Sequence, residues 1–141
     1  ARARSSPAIP APPGARLAQS RGDLGARMRD AIAAARRRGH GAVLVIGTDV
    51  PGLSAAHIAR ALAELRRADV VFGPAPDGGY WLVGIAPGRP LPPGFLRGVR
   101  WSGPHALADS RASCGPLRVA LADTLADVDG VTDLRGRREW R

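Results

Sequence analysis

The sequence predicts an α/β fold. Two observations carry that expectation: an apolar run at residues 42–46 of the kind buried on both faces of a sheet, and the strand, helix, strand order that begins there. Such an order suggests a parallel unit with a right-handed crossover.

Residues 1–20 hold four prolines and little periodicity, and read as a loop or linker; residues 21–141 read as part of a single domain. Leu24, Met28, Ala31, Ile32 and Ala35 recur at helical spacing, with the helix closing near Gly39. The strand at 42–46 follows and ends at Gly47. Ser54 suits the N-cap of a second helix, whose Ile58, Ala61, Leu62 and Leu65 share one face. Residues 69–73 and 80–85 read as short strands. Beyond them, 87–94 is a loop, 99–101 a short strand, 105–111 a helix and 117–121 a partly alternating strand. Residues 124–129 lead into a last helix from about Val131.

The formal charge is +9, and every basic side chain is Arg, because the chain has no Lys. Apart from Arg36, Arg37 and Arg38 at a helix end, the arginines are dispersed along the sequence and read as solvated surface charge. With 4% aromatic residues there is little to stack on bases, and no nucleic-acid partner is expected. No apolar run approaches the ~18 residues a membrane span needs, so no membrane partner is expected and the chain reads as cytoplasmic. The lone Cys114 reads as structural, and His40, His57 and His105 lack metal-ligand spacing.

Three segments could carry chemistry. Asp49 follows the first strand, where ligands of open α/β sheets bind; it either holds a cation or caps the turn before Pro51. Asp77, Gly78 and Gly79 form either a hairpin loop or a site in which a carboxylate orients a hydroxyl beside Tyr80 and Trp81. Asp127 and Asp129 share one side of an extended segment and either bind metal or cap the next helix.

The order Gly22-Asp23-Leu24-Gly25 with Arg27-Met28, then Gly47-Thr48-Asp49-Val50-Pro51-Gly52, then Asp77-Gly78-Gly79-Tyr80-Trp81, Trp101-Ser102 and Asp127-Val128-Asp129 resembles the bacterial glycosyltransferase-like family called radical-SAM/selenodomain-associated transferases. The resemblance implies a Rossmann-like GT-A sheet with flanking helices, the nucleotide-diphospho-sugar transferase fold, and metal-dependent sugar transfer to an unknown acceptor. Under it Asp49, Asp127 and Asp129 hold Mg²⁺ or Mn²⁺, and Asp77 is catalytic. Asp23, Arg27, Gly78, Gly79, Tyr80, Trp81, Trp101 and Ser102 line the substrates. Guanylyltransferase-like nucleotidyl transfer and a non-catalytic remnant are the alternatives. Two departures stand out: Gly103 follows Trp101-Ser102 where the family has Thr, and no nucleotide-cradling loop precedes Gly22 at the family's distance. The chain is therefore expected to lack that N-terminal segment and to self-associate through the sheet edge so exposed.

Overall fold

The computed structural model describes residues 24–39, 41–101 and 103–126. The linker at 1–20, Asp23, His40, Ser102, the Asp127 and Asp129 pair and the last helix lie outside them.

Helix α1 (Leu24–Arg37) turns its apolar stripe inward, burying Ile32 beside the half-buried Met28 and Ala35, while Ala31 faces solvent. Gly25 lets the helix start against the chain that follows: a Cβ there would lie 2.3 Å from the Leu96 carbonyl oxygen. Gly39, at φ 77°, ends the helix in the left-handed conformation that glycine favours. Strand β1 (Val43–Ile46), helix α2 (Ala55–Glu64), strand β2 (Val70–Pro74), strand β3 (Tyr80–Ile85), helix α3 (Ala106–Ala112) and strand β4 (Val119–Leu121) follow.

The sheet order is β1-β3-β2-β4. β3 pairs antiparallel with both β1 and β2, and β4 pairs parallel with β2. β1 and β2 thus point the same way, as the strand, helix, strand order suggests, but they are not neighbours. The short connection at 75–79 folds β3 back as a hairpin, and β3 takes the place between them. β1 is also less buried than its composition suggests, because it pairs with β3 alone among the described residues; only Val43 is fully enclosed. β2 and β3 form the buried centre.

Residues 99–101 do not make the expected strand. The Arg100 N–H donates instead to the Asp109 carboxylate at 2.9 Å, satisfying the backbone with a side chain. The helix expected at 105–111 is α3, and the partly alternating 117–121 contains β4.

Both faces of the sheet are covered. Val70, Phe72, Val83 and Ile85 pack with Ile32 of α1 and with Phe95, Leu96 and Cys114; Val71, Trp81 and Leu82 pack with Ala61 and Leu65 on the α2 side. Leu96 is a buried non-glycine residue at φ 59°, a conformation costing roughly 1–3 kcal/mol. It is held from both ends: its N–H donates to Ser113 Oγ at 2.9 Å and its carbonyl accepts from Arg29 Nη1 at 3.1 Å.

Candidate active site at the carboxyl edge of the sheet

β1, β2 and β4 run in the same direction, so their C-terminal ends meet at one edge of the sheet, where open α/β sheets bind ligands. Three segments gather there: residues 47–53 after β1, the 75–79 hairpin loop, and residues 122–126 after β4. Backbone bonds join them to the sheet. Gly47 N–H donates to the Trp81 carbonyl (2.9 Å), Ala122 N–H to Phe72 (2.8 Å) and Leu125 N–H to Pro74 (3.0 Å). Leu125 then packs with Val50, Leu53 and Trp81.

Asp49 is half-buried at this edge, with no hydrogen bond or ion pair among the described residues. A carboxylate left in that state retains its full capacity for a cation. Among the described residues no group of three His, Cys, Asp or Glu side chains is gathered closely enough to hold a metal ion. A Mg²⁺-type ion, which takes one or two carboxylates and completes its shell with phosphate oxygens and water, fits this donor set better than an ion needing an all-protein cage.

Asp77 is exposed, and its Oδ1 accepts the Gly79 N–H at 2.9 Å, so one oxygen stabilises the hairpin turn. Gly78, at φ 93°, makes room within the chain itself, not for another molecule: a Cβ there would lie 2.3 Å from the Pro104 carbonyl oxygen. Its own carbonyl accepts the Leu107 N–H at 2.9 Å, which clamps the loop to the start of α3. Gly79 is half-buried beside Asp77.

Tyr80 and Trp81 do not form one aromatic surface. Gly73 pairs with Leu82 and Pro74 with Tyr80, leaving Trp81 as the extra residue of a β-bulge. A bulge re-aims side chains by breaking the alternation. Trp81 consequently joins Leu82 on the α2 side, 1% exposed, with its Nε1–H donated to the Asp123 carbonyl at 2.8 Å. Tyr80 faces the other side, against Phe72 (4.8 Å between centroids) and the half-buried Trp101 (6.3 Å). Its hydroxyl meets Ser110 Oγ at 3.0 Å, and burial holds the phenol above its ordinary pKa although that hydrogen bond works the other way. Trp81 is thus a core residue, whereas Tyr80 and Trp101 line the opposite flank with the start of α1, which carries the half-buried Arg27.

The structure adds a residue that sequence reasoning missed. Asp123 receives the Arg60 guanidinium through Nε (3.1 Å) and Nη2 (2.5 Å), and this hydrogen bonding holds its carboxyl below the usual range. His57 Nε2 stands 3.5 Å from the same carboxylate, while its Nδ1 accepts the Ser54 N–H at 3.0 Å. Both ring nitrogens are engaged, which gives His57 a structural role. Asp123 closely follows the end of a strand, as Asp49 does. That signal was faint because β4 has only three residues.

A family model described as "Uncharacterized protein conserved in bacteria (DUF2064)" matches residues 6–103. No curated protein matches the chain. Among solved structures, one from Desulfovibrio desulfuricans G20, described as a "putative nucleotide-diphospho-sugar transferase", is similar at 30% identity with a TM-score of 0.66. The match covers 91% of this chain and 60% of that one, so the chain spans about three-fifths of that protein's length. The open four-stranded sheet with flanking helices has the nucleotide-diphospho-sugar transferase fold.

Proposed function

The chain belongs to the DUF2064 family of bacterial proteins, and on that premise we propose that it serves transfer of a sugar from a nucleotide-diphospho-sugar to a small-molecule acceptor. The observation that carries this reading is the convergence of Asp49, the Asp77 loop and the 122–126 segment on the carboxyl edge of the sheet. The similar Desulfovibrio structure supports it, as does the resemblance to radical-SAM/selenodomain-associated transferases.

In this reading Asp49, with Asp127 and Asp129 beyond the described residues, holds Mg²⁺ or Mn²⁺. Such an ion, when bound, supplies neutralisation of the charge that builds on a departing diphosphate. Asp77 keeps one oxygen on Gly79 and turns the other to the acceptor hydroxyl, orienting it and receiving its proton. Tyr80, held neutral by burial, does not compete for that proton. The Tyr80 and Trp101 flank offers apolar surface to a substrate.

The test is turnover of a panel of nucleotide-diphospho-sugars with Mg²⁺ or Mn²⁺, reading nucleoside diphosphate and pyrophosphate separately. Sugar transfer releases the diphosphate, and pyrophosphate release would assign nucleotidyl transfer instead. Asp49→Asn should abolish metal-dependent turnover with an unchanged circular dichroism spectrum; full activity in that variant overturns the assignment. Asp77→Asn should depress transfer far more than donor binding. A tenfold loss of donor affinity, about 1.4 kcal/mol, would move Asp77 to the donor side.

A further inference from the structure

Seven of the arginines among the described residues are gathered by the fold at one edge. The short connections after α1 and α2 bring both helix ends to the edge at which β1 and β2 begin, opposite the candidate site. Arg36, Arg37 and Arg38 close α1, Arg66 and Arg67 follow α2, Arg89 leaves β3, and Arg118 leads into β4.

Hydrogen bonds and an ion pair join these segments into one surface. The Arg36 guanidinium donates to the Ala86 and Arg89 carbonyls. Arg89 Nε lies 2.8 Å from Asp69 Oδ1, and Asp69 Oδ2 accepts the Arg118 N–H at 2.8 Å. Arg118 Nη1 in turn reaches the Arg67 carbonyl at 3.5 Å. The acids in these segments are Glu64 and Asp69, and Asp69 is already matched by Arg89. Arg37, Arg38 and Arg66 are exposed and have no side-chain partner among the described residues. Leu62, 41% exposed, stands four residues before Arg66 on the α2 side of this edge.

We propose that this edge docks the chain reversibly on an anionic phospholipid bilayer. Guanidinium forks bind phosphate oxygens in pairs, and an exposed leucine beside them suits the boundary between headgroups and acyl chains. A nucleic-acid partner is disfavoured because the surface is formed by helix ends and loops, with no helix projecting to enter a groove and no aromatic ring in these segments to stack on a base. No described helix is long and apolar enough to cross a membrane, so the attachment is peripheral. The site at the opposite edge then faces away from the bilayer. This inference stands apart from the sugar-transfer reading.

The test is co-sedimentation of the 141-residue chain with vesicles of phosphatidylcholine alone or with about one-third phosphatidylglycerol. Binding is expected on the anionic vesicles alone, and it should disappear at about 1 M salt, where screening shortens to about 3 Å. Arg38→Gln should lower the partition coefficient about five-fold, as expected for one surface arginine. Arg97→Gln removes the same charge from the Leu96 loop, near the start of α1, and should change it less than two-fold. Each variant is checked for an unchanged thermal melt. Equal losses in the two variants would show attraction by net charge alone and overturn the docking surface. Failure to bind anionic vesicles at low salt overturns it as well, as does tighter binding to a duplex oligonucleotide at the same salt.

Discussion

Gly73 and Gly78 occupy positions where one added methyl group has nowhere to go. At Gly73 a Cβ would lie 2.5 Å from the Trp81 ring, which is itself enclosed. Gly73→Ala is expected to cost roughly 1–3 kcal/mol in urea denaturation, the usual range for overpacking. At Gly78 the obstacle is the Pro104 backbone, which cannot swing aside, and the backbone also has a φ of 93°. Gly78→Ala should therefore cost at least as much as Gly73→Ala. Cys114 is a different case: burial pushes its thiol up to about 11 from an ordinary 9.0. The folded value lies above the unfolded one, so the thiol's contribution to stability is complete below about pH 9 and is lost as pH rises through about 11. At pH 8 a disulfide reagent should label Cys114 no faster than the chain unfolds. Rapid labelling of the native protein would contradict the burial.

Elements are joined here by side chains acting between neighbours. Tyr80 links β3 to α3 through Ser110, and the Arg60, His57 and Asp123 group links α2 to the segment after β4. That second link holds residues 122–126 at the candidate site, just before the Asp127 and Asp129 pair in sequence. Asp123→Asn removes the negative charge from the link but leaves the backbone carbonyl that accepts from Trp81 Nε1. The expected result is faster hydrogen exchange at the Leu125 amide, which donates to Pro74, with little change at the β2 and β3 amides. Uniform acceleration across the sheet would mean instead that Asp123 supports the whole fold.

The response to acid is shared across the fold, because ion pairs join its separate elements. Two carboxylates, Asp109 beside Arg100 and Asp123 beside Arg60, are held below the ordinary 3.8 by their guanidinium partners. Because their folded values are depressed, the stability they contribute is present above about pH 4 and is lost as pH falls through the lower folded values. Both pairs are open to solvent, so added salt should weaken the effect. Thermal melts of the wild type and of Arg60→Gln with Arg100→Gln should differ most near neutral pH, and the difference should shrink steadily as pH falls from about 4 to about 2. A constant difference down to that pH would remove the ion pairs from the account of acid stability.

What the sequence determined by itself is what local pattern encodes. Helical spacing, a β-branched run and a turn signal depend on residues within a few positions of one another, and α1, β1, the β2 and β3 hairpin and α3 were all legible from them. Asp49 and Asp77 could be read as residues at the ends of strands for the same reason. The tertiary structure alone decided the rest. β3 lies between β1 and β2 because strand order is settled by pairing between distant segments, and the local pattern of β1 is the same whichever strand it meets. The bulge that puts the consecutive residues Trp81 and Leu82 on one face exists only as a mismatch between paired strands. Seven arginines share one edge because short connections return two helix ends, a strand exit and a strand entry to the same place. Distance along a chain sets neither proximity in space nor the field that a group of charges produces together, because both arise only when the chain is folded.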